Sequence, residues 1–355
     1  MDKERSVETM LSTIGAWREI LGLVSVRDRA KEIREYYKAL SINALRKEGW
    51  FDFMRTPQTV QDIVDHFGYV DYGFLIKYLE AYVQDEILFR ENGTYRVNGL
   101  IGDYPVKVPA FFGTGIVQIT ADAADAIPNR LRGTYTTFSD EMNTFNWDDS
   151  LQLKMYDKIR RAAFRYTDAL KRSGNFIDVG CGSGIGTAAI WGYYYKKGTF
   201  DSDKPVKIYG LEFDPNLKQI AEEEFAISAS RLLGVECSVV DALEEHHPVF
   251  VQGNAEDLPF EDEFFDMVYT SQVIHWCDAE KATKDLMRVL KPDGLFFGTE
   301  AFSPMLDSFV ELYVLLNEGA YGAIKKEDFF RWVKEAGAIS ASSATPAGVF
   351  RVIKS

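Results

Sequence analysis

The string Phe176-Ile-Asp-Val-Gly-Cys-Gly-Ser-Gly-Ile-Gly186 carries the clearest chemical signal in the chain. An apolar strand enters the glycines and a helix leaves them, so backbone can approach a ligand closely and offer amides at the positive end of a helix. A dinucleotide-binding turn looks much the same. Asp178, two residues before Gly180, separates the two readings. A carboxylate there attracts a cationic or amine-bearing ligand and is badly placed beside a pyrophosphate. A second acid, Glu212, ends the apolar run Val206 to Leu211, where it can accept from the vicinal hydroxyls of a ribose. Asp214, directly before Pro215, has a nearer duty as a helix cap.

Four histidines are available for proton transfer: His66, His246, His247 and His275. His66 falls late in a short helix and reads as structural. His246 and His247 follow two glutamates and read as a solvated loop. His275 lies just beyond the fourth strand of the second half, where it can serve as a general base, line a pocket or support its loop. Trp276 either covers a ligand or packs under the next helix. Glu300 comes after Phe296-Phe-Gly-Thr299, and there it can orient a base, receive a polar substrate group or cap the helix after Phe302. Tyr135, Phe138, Trp147, Phe309 and Tyr313 are candidate pocket aromatics, and as a group they favour an aromatic or hydrophobic small molecule. No histidine and carboxylate cluster has metal spacing, so no metal is expected.

These residues need an open parallel sheet to bring them together. From Asn175 onward, apolar runs at 176–179, 206–211, 248–251, 265–269 and 294–298 alternate with helical stretches at 184–196, 215–233, 279–290 and 302–316. Right-handed crossovers make such strands parallel, with helices on both faces and ligands at the carboxyl ends. A helix over 326–335 and the run 348–353 add an antiparallel edge pair. The fold class is therefore α/β, Rossmann-like and doubly wound, preceded by a mainly helical module. The boundaries read as 1–110 for that module, 111–170 for a helical linker that can act as a substrate lid, and 171–355 for the α/β domain.

In the module, Thr59 and Asp71 are placed to cap helices, Gly68 to end one, and Asn92-Gly93 to turn a hairpin between 87–90 and 94–97. Three helices plus a hairpin make a winged-helix arrangement. Residues 31–98 hold 9 Lys or Arg against 11 Asp or Glu, a net of −2, which is the wrong charge for a DNA groove. The whole chain, at −14 over 355 residues, likewise argues against nucleic acid as a substrate. A packing or dimerisation role is expected, with a homodimer as the assembly. Cys181, Cys237 and Cys277 lie far apart and form no disulfide framework. With no run of about 18 apolar residues and no signal-like stretch after Met1, no membrane association and a cytoplasmic location are expected.

The ordered set Asp178-x-Gly180-x-Gly182-x-Gly184, Glu212, Gly253-Asn-Ala-Glu-Asp-Leu-Pro-Phe260, Phe265-Asp266, His275-Trp276 and Arg288-Val-Leu-Lys-Pro-Asp-Gly294 resembles the class I S-adenosylmethionine-dependent methyltransferases. More closely, it resembles their type 11-like catalytic domain, over about residues 150 to 355. The N-terminal module resembles the winged-helix dimerisation domain of small-molecule O-methyltransferases.

The resemblance implies S-adenosylmethionine as donor, S-adenosylhomocysteine as product and a small-molecule acceptor, a hydroxyl first and nitrogen or carbon next. It implies that Asp178 and the Gly180, Cys181, Gly182 and Gly184 backbone surround the methionine part and that Glu212 holds the ribose. Phe213 lies against adenine, with Asn254 in the place of a more usual aspartate, the Ala255 amide on the ring and Leu258 at its edge. The plant-type O-methyltransferases carry a base in a His-Asp-Trp-x-Asp string. Here His275-Trp276-Cys277-Asp278 is one residue shorter, and Asp293-Gly294 replaces a more usual pair of glycines. A nicotinamide-dependent oxidoreductase and a nucleoside-sensing winged-helix regulator or idle scaffold are the competing classes.

Overall fold

The computed structural model describes residues 24–110, 112, 114–135, 154–303, 308–317, 319–344 and 348–355. Phe138 and Trp147 lie outside the described residues. The chain forms two compact units: residues 26–146 with 303–323, and 147–302 with 324–355.

In the first unit, helix α1 (Val24–Glu48) stops at Gly49, whose φ of 98° is left-handed. Strand β1 (Gln58–Thr59) leads into α2 (Val60–Phe67) through a capping box: Thr59 Oγ1 accepts from Asp62 N at 3.1 Å, and Asp62 Oδ2 accepts from Thr59 N at 2.8 Å. Asp71 Oδ1 accepts from Phe74 N at 2.9 Å and starts α3 (Tyr72–Gln84). Strands β2 (Leu88–Glu91) and β3 (Thr94–Val97) pair antiparallel about Asn92 and Gly93, both at positive φ, with β1 on the far side of β3.

Helix α4 (Thr114–Asp125) is followed by α5 (Ile127–Leu131), whose first turn holds Pro128. The segment after the α/β domain's fifth strand belongs to this unit. Its helix α10 (Ser308–Val314) is shorter than the 302–316 stretch expected, and it packs on α3.

In the second unit, α6 (Lys154–Thr167) precedes the sheet strands β4 (Gly174–Val179), β5 (Val206–Glu212), β6 (Val249–Gln252), β7 (Phe265–Ser271) and β8 (Leu290–Thr299). Helices α7 (Ile185–Lys196), α8 (Pro215–Leu233) and α9 (Ala279–Arg288) make the crossovers. After α11 (Lys326–Glu335), strands β9 (Ala338–Ala344) and β10 (Val349–Lys354) complete the edge.

The seven strands lie in the order β9-β10-β8-β7-β4-β5-β6, a doubly wound α/β sheet in which β4 to β8 are parallel and β10 runs antiparallel to its neighbours β8 and β9. Long apolar runs suit strands covered on both sides. One core holds Val179, Val268, Phe296 and Phe350 with Leu286 of α9 and Trp332 of α11. Across the sheet, Phe164 of α6 meets Phe176, Tyr194, Tyr269 and Phe297 at centroid distances of 5.0 to 6.4 Å. Each such buried ring contributes about 1.5–3 kcal/mol. No described helix is long and apolar enough to cross a membrane.

Candidate active site

The carboxyl ends of the five parallel strands, with the loops that leave them, carry the chemically informative residues. Asp178, at the end of β4, is 4% exposed and accepts from Thr187 Oγ1 of α7 at 2.7 Å. Burial pushes its carboxyl up to about 6; the Thr187 hydrogen bond and the Arg160 charge pull down, and the Glu212 charge pushes further up. The next residues turn through three left-handed glycines, Gly180, Gly182 and Gly184. A Cβ on Gly180 would stand 2.6 Å from Val273, and one on Gly184 2.8 Å from Ala221, so both positions are closed to any larger residue. A Cβ on Gly182 would meet nothing within 4 Å. The turn therefore leaves its face at Gly182 open, close to the buried acids. Burial holds the Cys181 thiol protonated, which removes it as a nucleophile.

Glu212 ends β5 and is held by three amides. Its Oε2 accepts from Gly182 N at 2.7 Å, and its Oε1 accepts from Phe213 N at 2.9 Å and Asp214 N at 3.1 Å. Since a carboxylate offers about four lone-pair sites, it can still accept from a hydroxyl. Asp214 caps α8 through Asn216 N and Leu217 N. Phe213 is 66% exposed, an unusual position for so large an apolar ring and one that suits stacking on a flat heterocycle. After β6, Asn254 Oδ1 accepts from Glu256 N at 2.9 Å, Leu258 is buried and Ala255 packs against the core.

After β7 and β8 the structure brings His275 and Glu300 together. Glu300 is fully buried; its Oε1 accepts from His275 Nδ1 at 2.5 Å and from Ala301 N at 2.9 Å, and its Oε2 accepts from Ile274 N at 3.1 Å. A carboxylate on Nδ1 selects the tautomer with its lone pair on Nε2. The contact of Gly180 with Val273 sets the glycine turn against the loop that carries this pair. Trp276 is partly buried with its ring 5.2 Å from that of His275.

The remaining candidates each have packing partners within their own unit. Phe309 and Tyr313 are buried in the first unit's own core, where Tyr313 stacks on Tyr37 with centroids 3.9 Å apart. Tyr135 lies under the Arg130 guanidinium at 3.9 Å. His66 stacks on Phe53, as a structural role requires. His246 and His247 are packed rather than solvated: one stacks on Phe200, and the other meets Phe225 and hydrogen-bonds the Val240 carbonyl. Among the described residues no group of three His, Cys, Asp or Glu is arranged to hold a metal ion. Sequence reasoning passed over Thr187 and Arg160. The signal for Arg160 was a charge on the apolar stripe Tyr156, Arg160, Ala163, Phe164 of α6.

Comparison with known proteins agrees with this geometry. Residues 177–298 match the model of a methyltransferase domain family. A demethylmenaquinone methyltransferase of Bacillus mycoides (strain KBAB4) is 26% identical over 187 residues, which cover 52% of this chain and 68% of that protein. Two crystal structures share the fold. The CurJ carbon methyltransferase has a TM-score of 0.71 at 14% identity, covering 98% of this chain and 99% of that one. The DszA carbon methyltransferase has a TM-score of 0.67 at 14% identity, covering 96% and 93%.

Proposed function

Because the chain is a class I S-adenosylmethionine-dependent methyltransferase, we propose that it methylates a small molecule from which a proton must first be removed. The acceptor is a carbon beside a carbonyl in the first place and a hydroxyl in the second. The observation that carries this reading is the buried hydrogen bond between His275 and Glu300. A neutral amine needs no base, whereas an enolisable carbon or a phenol does. The carbon acceptor is favoured by likeness in fold, over nearly the full chain, to the CurJ and DszA carbon methyltransferases. The hydroxyl acceptor keeps the partial match of His275-Trp276 to the O-methyltransferase string.

The residues present fit the donor: a buried carboxylate for its ammonium at Asp178, a second for its ribose at Glu212, an exposed ring for its adenine at Phe213, and open space at Gly182. Asn254, Ala255 and Leu258 complete the adenine side. When bound, the donor supplies an electrophilic methyl on sulfur. His275 Nε2 takes the acceptor's proton, and Glu300 holds the Nδ1 hydrogen and stabilises the imidazolium. Asp178, Glu212 and Phe213 would hold the donor, whose methyl would pass to the deprotonated acceptor while the electrons of the broken carbon–sulfur bond would stay with sulfur. Alignment of acceptor, methyl and sulfur can supply about 7–11 kcal/mol of the barrier. In the same reading the N-terminal winged-helix-like module serves in dimerisation, and a mass of one chain by light scattering would remove that part.

The test uses donor labelled with carbon-13 in its methyl group and a panel of 1,3-dicarbonyl thioesters, phenols and amines. The product's methyl chemical shift distinguishes bonding to carbon, oxygen or nitrogen. Label on carbon is the expected result. Label on phenol oxygen alone moves the reading to its second form, and label on amines alone ends it.

A further inference from the structure

We propose that Glu256 is a positioning residue that ties the loop after β6 to the loop carrying His275, so that seating the donor's adenine and holding the base in place are energetically linked. The proposal rests on the reading that puts adenine at Asn254 and the base at His275. Glu256 works in both loops at once. Its amide donates to Asn254 Oδ1 at 2.9 Å, and its Oε1 accepts from the amide of Asp278 at 2.9 Å. Asp278 lies three residues beyond His275 and caps α9 through Lys281 N at 3.0 Å. One residue thus fixes the side chain offered to the adenine amino group and the far end of the turn Ile274–Trp276.

The His275 loop is held from three different strand ends. Val273 at its entry meets the glycine turn after β4, the Ile274 amide donates to Glu300 after β8, and the Asp278 amide at its exit donates to Glu256 after β6. The third hold belongs to the adenine side, which is anchored in turn to the far end of α9. There Asp285 Oδ2 accepts from Leu258 N at 2.6 Å, and Arg288 Nη2 donates to Leu258 O at 3.0 Å. With the loop pinned at Leu258, a ligand on Asn254 acts on residues 254–257, and Glu256 is the side chain that leaves this stretch toward the base. A carboxylate suits the span, because its charge strengthens a hydrogen bond from a backbone amide. Lys281 Nζ stands 3.8 Å from the other oxygen and is exposed, so screening leaves that ion pair little weight. An acid that only supported the start of α9 would leave the His275 loop indifferent to ligand, whereas a tie transmits the ligand's effect.

Amide hydrogen exchange with and without S-adenosylhomocysteine tests this in wild type, Glu256→Ala and Glu256→Gln, measured against core amides of β8, which report global opening alone. In wild type, saturating ligand should slow exchange at the Trp276, Cys277 and Asp278 amides by about 5- to 50-fold beyond that reference. Glu256→Ala should cut the slowing to within about twofold while the ligand still protects the glycine turn at 180–184. Glu256→Gln keeps an oxygen for the Asp278 amide and should retain most of the wild-type response. Glu256→Leu, which fills the space without an acceptor, stands in should the alanine variant fail to fold. A His275 loop that responds in Glu256→Ala as it does in wild type, or that ignores bound ligand in wild type, would overturn the proposal. A wild type whose glycine turn gains no protection would remove the donor placement itself, and the proposal with it.

Discussion

His275→Ala is expected to lower kcat by about 10²- to 10⁴-fold while the affinity for S-adenosylhomocysteine stays within about twofold. The reason is local. His275 has its Nδ1 tied to Glu300, a carboxylate held by the amides of Ile274 and Ala301, so the ring is fixed with Nε2 as its one free basic atom. Glu300→Gln keeps an oxygen acceptor but removes the charge that stabilises the imidazolium, and a smaller loss of kcat is expected from it than from His275→Ala. Single-turnover kinetics with saturating donor checks both variants. Unchanged single-turnover rates in both would leave the pair a structural support of its loop, and with it the case for an acceptor that needs deprotonation would fall.

Asp178→Asn is expected to change how stability and donor binding depend on pH. In the folded chain the Asp178 carboxyl is raised from 3.8 to about 6, mainly by burial. Between those values the folded state holds a proton that the unfolded state has lost. The stability contribution is therefore fully present below about 3.8 and is lost as pH rises through 6, by about 3 kcal/mol in all. Burial raises Glu212 as well, with the same sign, so the variant should keep a slope from Glu212 and lose the part that Asp178 supplies.

Donor binding reverses the trend. An ammonium beside Asp178 favours the charged carboxylate, so affinity should rise with pH across this window and binding near pH 6 should release a proton. Urea unfolding from pH 4 to 8, with calorimetric titration in buffers of different ionisation enthalpy, reads both effects. A variant with the wild-type slope and the wild-type proton release would remove Asp178 as their source.

Much of the second unit was legible because its signals are local. Pro215–Leu233 is marked by a capping aspartate before proline and a glycine just beyond its end, and Lys326–Glu335 by an apolar stripe and the glycine at 337. Glycines at fixed spacing place a left-handed turn, and an acid two residues upstream falls at a strand end. The His275–Glu300 bond was not legible in the same way. The two are 25 residues apart and meet because β7 and β8 are parallel neighbours, which makes their closing loops adjacent. Arg160 was hidden by its setting, since the aromatic stripe of α6 reads as packing. The course of residues 303–323 was hidden as well. Phe309 and Tyr313 have the periodicity of any apolar helix, and nothing local says that α10 packs on α3.

The measurement that bears most directly on the donor site is a crystal structure with S-adenosylhomocysteine bound. Ribose hydroxyls within hydrogen-bond distance of Glu212, adenine against Phe213 and the homocysteine tail over Gly182 toward Asp178 are the expected result. A glycine turn that excludes the nucleoside, or that grips the linked phosphates of a dinucleotide, would contradict it.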